Sequence, residues 1–361
     1  MHRICLLLTQ SGHWPPFQYA GLSRYDGGHE PWGASMRRRE FIKLVCGSAA
    51  TWPLAARAQQ SAIPVVGFLH SGLQAQSDQV SGFTKGLNEA GFVEGQNIEI
   101  EKRFAEGHYD RLPALAVDLV KRQVAVLAVG GGVHAALAAK ASTAKIPVVF
   151  AIGSDPVQFG LVHSLNRPGA NITGISFFAA QLEAKRLGLL SEIVPTARTF
   201  GALVNPTNDN SENQLKDIAQ GGRAVNRAIA IQRASNEREI EAAFASFAEQ
   251  RVNALLVASD PYYNGERTKI VALAARYNLP AIYEWREFAE AGGLASYGTN
   301  LSDAYRLAGI YVGRILKGEK PADLPILQTT KFEFLLNLKT AKTLGLTVPP
   351  GPLSAVDAVI E

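Results

Sequence analysis

Polar and small residues recur in this 361-residue chain at the points where apolar, β-branched runs stop. Ser71 follows IPVVGFL and His70; Gly130, Gly131 and Gly132 follow VAVLAV; Ser154 and Asp155 follow IPVVFAI and Gly153. Asn205 follows TFGALV, Ser259 and Asp260 follow ALLVA, Tyr283 and Glu284 close AIYE, and LASYG carries Tyr297. Hydroxyls, carboxamides, carboxylates and phenols at the carboxyl ends of strands suit the capture of a small polar molecule, because ligands of open α/β sheets collect at that edge. Glycines between a strand and a helix let an anion approach the free N–H groups of the helix start, where the aligned peptide dipoles favour it. The same three glycines would also serve a ligand-free tight turn, and Asp155 before Pro156 equally fits a helix cap. Covalent chemistry lacks its parts: GxSxG, HExxH, GxGxxG and GxxxxGK are absent, and His70, His108, His134 and His163 stand far apart in sequence. No catalytic residue, metal ligand or cofactor site is predicted.

The elements that must place these residues alternate. Ile63 to Leu69 and Ile146 to Ile152 are continuous apolar runs of the kind found in parallel strands covered on both faces. Asn97 to Arg103 alternates and suits a strand nearer an edge. Helical spacing runs over 78–90, 110–122, 181–194, 211–223, 237–250, 266–277 and 301–317. Strands and helices in that alternation predict an α/β fold with two parallel sheets. Ser-Asp-Pro occurs twice after an apolar strand, at 154–156 and 259–261, which suits two similar lobes with facing mouths. KFEFLLN reads as a late strand, 338–344 as a helix, and the end as a proline-rich tail.

The first 58 residues belong to neither lobe. Met1 to Ser35 has no sustained period and reads as disordered or as an artefact of start-site choice. Met36 then opens MRRREFIKLVCGSAATWPLAARAQQ: a basic stretch, an apolar run, and small residues at Ala56 and Ala58 before Gln59, the layout of an export signal cleaved near Ala58. Arg38, Arg39, Phe41, Ile42 and Lys43 resemble the twin-arginine pattern. The apolar run includes Pro53 and is too short to span a bilayer core of about 30 Å. Of 36 Lys and Arg, seven lie in this leader, against three of 32 Asp and Glu, so the remainder is formally neutral. No basic face for nucleic acid is implied. Both cysteines, Cys5 and Cys46, lie in the leader as well, which leaves an exported chain without a disulfide or thiol.

RLPALAVDLV, IGSDPVQFGLVHSLNRPGANITGIS, LPAIYEWREFAEAGGLASYG and LKGEKPADLPILQTTKFEFLLNLKTAKTLGLTVP together resemble the ABC transporter substrate-binding protein family whose members take tryptophan and related aromatic amino acids. The resemblance runs from about Ile63 to Pro349 and departs at Gly131, Gly132 and Ser259 to Asn264. It implies two Rossmann-like lobes of the type I periplasmic-binding-protein kind, hinged around a cleft: residues 59–177 with 299–327, and residues 178–298 with 328–361. It also implies a periplasmic monomer that closes on a small polar ligand, an amino acid or a related aromatic or carboxylate compound, and delivers it to an inner-membrane ABC permease. On that basis Ser71, Gly131, Gly132 and Ser154 hold an anionic or polar head, and Asn205 and Ser259 add polar contacts from the other lobe. Asp155, Asp260 or Glu284 receives an ammonium, and Tyr262, Tyr283 and Tyr297 supply an aromatic wall. A periplasmic sensor subunit has the same fold, and an exported enzyme is the remaining alternative.

Overall fold

The computed structural model describes residues 63–74, 77–177, 182–329 and 331–361; the expected leader and its cysteines lie outside them. Strands β1 (Val65–His70), β2 (Glu99–Phe104), β3 (Val126–Gly130), β4 (Val148–Ile152) and β5 (Ile172–Ser176) come first. They are followed by β6 (Thr199–Val204), β7 (Ala228–Arg233), β8 (Ala254–Val257), β9 (Ala281–Tyr283) and β10 (Ala295–Thr299), then β11 (Leu327–Gln328), β12 (Phe332–Asn337) and β13 (Ala358–Ile360). They form two sheets, ordered β11-β5-β4-β3-β1-β2 and β13-β12-β10-β9-β8-β6-β7. Every pairing in the first sheet is parallel. Its middle strands VLAVG, VVFAI and ITGIS are buried at every residue, as helices on both faces require. β2, with alternating charges, takes the edge.

The second sheet differs from the expected all-parallel one, because β12 runs antiparallel to β10. The proline-rich end is not a bare tail either: Pro350–Ala355 is a short helix, and β13 pairs with β12 through Asp357, whose N–H donates to the Phe334 carbonyl at 2.8 Å. That pairing is non-local, so no periodicity in the last residues announces it. Gln328 pairs in the first sheet and Thr299 in the second, one residue to either side of the expected lobe boundaries.

The helix Leu301–Leu316 returns the chain to the first sheet and packs along helix Ser77–Glu89. Gly82 and Gly86 on one helix, and Gly309 and Gly313 on the other, make the contact close: a methyl at Gly86 would overlap the Arg306 carbonyl, and one at Gly309 the Phe83 carbonyl. Gly86→Ala is therefore expected to cost about 1–3 kcal/mol by overpacking, read as a lower urea midpoint. An unchanged midpoint would show that the helices separate freely. This packing fixes Tyr305, in the second turn of the returning helix, under the first sheet's carboxyl edge.

Candidate functional site

The carboxyl ends of the two sheets face a cleft with about 500 Å³ of empty space, its mouth to solvent included. The first lobe contributes Gly131, Gly132, Ser154, Phe177 and Tyr305; the second contributes Asn208, Asn210, Gln214, Ser259 and Trp285. Fifteen residues line it, and none carries a charged side chain.

Four buried side-chain atoms in this lining have no partner: Asn210 Nδ2 and Trp285 Nε1, which are donors, and Gln79 Oε1 and Gln214 Oε1, which are acceptors. Gln214 is oriented by donating its Nε2 to the Ser259 carbonyl at 2.6 Å, which turns Oε1 out as a free acceptor. Asn210 accepts at Oδ1 from Asn213 at 3.0 Å, which leaves its Nδ2 free to donate. Buried polar atoms cost about 1–3 kcal/mol each when unmet, so a cleft that gathers four of them is built for something that meets them.

The residues expected from sequence divide into those at the cleft and those beneath it. Gly131, Gly132, Ser154 and Ser259 line it. Ser71 lies behind the glycines and donates its hydroxyl to the Gly131 carbonyl. A trans peptide holds its carbonyl and N–H on opposite sides, so the Gly132 N–H points away from Ser71. The left-handed φ of Gly131 (79°) and Gly132 (99°) makes this turn possible.

None of the three expected ammonium partners lines the cleft. Asp155 caps a turn, not a helix, accepting from the N–H groups of Val157 and Gln158 at 2.8 and 3.3 Å. Asp260 is saturated: Oδ1 accepts from Asn205 Nδ2, Tyr262 N and Tyr263 N, and Oδ2 from Tyr109 and Asn208. It caps the short helix Pro261–Gly265, and Asn205 serves as one of its braces. Glu284 is 2% exposed and sits under the cleft floor with Glu183 and Arg186, both fully buried. Arg186 Nη1 meets Glu183 at 2.5 Å, whereas its Nη2 is 3.8 Å from Glu284. Burial pushes the Glu284 carboxyl up to about 8, and the Arg186 guanidinium offsets this only in part.

The aromatic wall is likewise made by other residues. Tyr283 stacks on Phe288 at 4.6 Å in the second lobe, and Tyr297 packs between Phe332 and Phe334. Tyr262 packs against Gly107. Phe177, Trp285 and Tyr305 line the cleft instead. Phe177 and Trp285 had a legible signal, since they stand one and two residues beyond a strand's end; Gln214 and Tyr305 sit within helices, where spacing marks a face but not the cleft.

The two lobes touch across the cleft rim. Tyr109 from the first donates to Asp260 of the second at 3.2 Å, and His134 pairs with Asp209 at 2.9 Å while stacking on Tyr109 at 4.6 Å.

A family model described as ABC transporter substrate binding protein matches residues 63–359. The chain belongs to that family. A curated relative, the "Tyrosine-binding protein" of Clostridioides difficile (strain R20291), is 26% identical over 266 residues, 73% of this chain and 76% of the relative. Among solved structures, the ABC domain in complex with L-Trp from Streptococcus pneumonia superposes with TM-score 0.74 at 24% identity, covering 83% of this chain and 100% of that one. The ligand-free, open structure of a substrate binding protein with adhesive properties from Clostridium difficile gives TM-score 0.58 at 25% identity, covering 82% and 99%. The two-lobed type I fold is thus shared. As a substrate-binding protein this chain has no helix among the described residues long and apolar enough to cross a membrane. The described residues also hold no group of three or more His, Cys, Asp or Glu placed to bind a metal.

Proposed function

We propose that this protein is the periplasmic solute-capturing component of an ABC importer. It takes a small zwitterion with an uncharged side chain, an aromatic amino acid or a related aromatic carboxylate, by closing its lobes around it. The observation that carries the reading is the set of unmet donors and acceptors, Asn210 Nδ2 and Trp285 Nε1 with Gln79 Oε1 and Gln214 Oε1, beside an aromatic wall drawn from both lobes. Donors at Asn210, Trp285, Ser154 and the glycine turn suit a carboxylate, and the Gln214 carbonyl oxygen suits an ammonium. A lining without formal charge disfavours acidic and basic side chains, which would enter unpaired.

Tyrosine and L-Trp are what the similar proteins bind by name. The better superposition on the L-Trp complex than on the open, ligand-free relative supports a closed state for this arrangement. The segments 59–177 with 299–327, and 178–298 with 328–361, serve as the two moving bodies. Export by the leader ending near Ala58, a monomeric state, and an inner-membrane permease as receiver belong to the same proposal.

Calorimetry with L-tryptophan, L-tyrosine and L-phenylalanine, paired with small-angle scattering, tests it. At least one should bind and reduce the radius of gyration, and Gln214→Leu should weaken that binding tenfold or more. Failure of all three to bind would remove the aromatic amino-acid reading, and binding without contraction would remove cleft closure.

A further inference from the structure

The hydrogens around Tyr305 can be assigned one by one. The Gly72 N–H donates to His70 Nδ1 at 3.0 Å, so that nitrogen is an acceptor. His70 is 1% exposed, and burial lowers its pKa to about 3, so the imidazole is neutral and carries its single hydrogen on Nε2. His70 Nε2 lies 2.9 Å from the Tyr305 hydroxyl, and the hydrogen it carries makes it the donor there. The Gly131 N–H donates to the same oxygen at 3.0 Å. Both lone pairs of the Tyr305 oxygen are then occupied by donors, and its own proton must point elsewhere. No carbonyl or carboxylate among the described residues accepts that proton, and Tyr305, 2% exposed, lines the cleft.

We infer that Tyr305 is a dedicated hydroxyl donor to the ligand's carboxylate, and that His70 is the positioning residue that forces its proton into the cleft. The inference rests on the zwitterion reading above and names the group that recognises the anionic end. Three features converge on one place. The Gly132 N–H faces away from Ser71, helix Val133–Ser142 begins there with its free N–H groups, and the Tyr305 hydroxyl is held beside the Gly131 N–H. The glycines are needed for the tyrosine as much as for the ligand, because a methyl at Gly130 would overlap the Tyr305 hydroxyl and one at Gly131 would strike Ser71 and the His70 ring.

His70 is not a catalytic or ligand-touching group in this arrangement. Its ring is fixed by the Gly72 N–H, Tyr305 and the Gln79 side chain, and its contribution is direction: with its own hydrogen on Nε2 it cannot accept the Tyr305 proton. The signal was present in the sequence, since His70 ends a strand, but its partner is 235 residues away.

Two measurements test this. In ¹⁵N-histidine spectra of the unliganded wild type, His70 should be the neutral Nε2–H tautomer from pH 5 to 8; a proton on Nδ1, or a protonated ring, would overturn the assigned direction. In binding assays the wild type should prefer L-tryptophan to L-tryptophanamide, whose head carries no negative charge, and Tyr305→Phe should cut that preference tenfold or more. Equal loss for both probes, or loss for neither, would overturn the carboxylate role. If the wild type binds neither probe, the amino-acid reading fails and the carboxylate role with it, while the histidine spectra still decide the direction of the relay.

Discussion

Asp260→Ala is expected to lower the Tm by about 6 °C or more, the equivalent of about 3 kcal/mol for a chain of this size. The carboxylate is 1% exposed and collects five donors, from Asn205, Asn208, Tyr109 and two backbone N–H groups at the start of helix Pro261–Gly265. Alanine removes the cap, worth about 0.5–2 kcal/mol, and leaves buried carboxamide and phenol donors unmet at about 1–3 kcal/mol each. Asp260→Asn should fall between, because its Oδ1 still caps the helix while its Nδ2 confronts the Asn208 donor. Tyr109 reaches Asp260 from the other lobe, so Asp260→Ala should also expand the protein in scattering. Differential scanning calorimetry decides the matter: a Tm within a degree of wild type would mean that this network contributes nothing to the folded state.

Glu284→Gln should stabilise the protein, and increasingly so as pH rises. The ordinary glutamate pKa of 4.5 is that of the unfolded chain, whereas burial raises the folded one to about 8. Between those values the folded state retains a proton that the unfolded state has released, so stability falls with rising pH, at most by about 1.4 kcal/mol per unit. Above about pH 8 both states are ionised and the loss is complete. Glutamine has no proton to release, and the slope should vanish with it. His70 acts in the opposite sense: its pKa falls from 6.5 to about 3 on folding, so its contribution is lost as pH drops through that window. The two slopes oppose one another between 4.5 and 6.5, which places the wild-type stability maximum there as far as these groups decide it. Urea unfolding of both proteins at pH 5, 6.5, 8 and 9 should give stabilities that diverge from pH 5 to about 8 and differ by a nearly constant amount above it. Parallel curves would show that Glu284 is ionised in the folded protein.

The physical effect behind Glu284 is the one that separates the residues expected to bind from those that line the cleft. Asp155, Asp260 and Glu284 were expected to hold an ammonium because carboxylates at strand ends are well placed to do so. The structure uses Asp155 to cap a turn and Asp260 to organise the wall of the second lobe, and it buries Glu284 beneath the floor. Sequence shows that a carboxylate stands at a strand end, but not which way it turns once neighbours 50 or 150 residues away offer it hydrogen bonds. The tyrosines repeat the lesson, for Tyr283 and Tyr297 found stacking partners within their own lobe while Phe177 and Trp285 were left facing the cleft.

The sequence by itself determined the alternation of strands and helices, the buried character of the first sheet, and the carboxyl-edge positions that put the glycine turn, Ser154 and Ser259 in the lining of a cleft. These are properties of short-range periodicity, turn chemistry and strand polarity, which a window of ten or twenty residues contains in full. Only the tertiary structure decided the antiparallel β12, the pairing of β13, the uncharged lining and the His70–Tyr305 relay. Each of these depends on groups brought together from distant parts of the chain. Burial then sets which polar atoms are satisfied by the protein and which are left for a ligand.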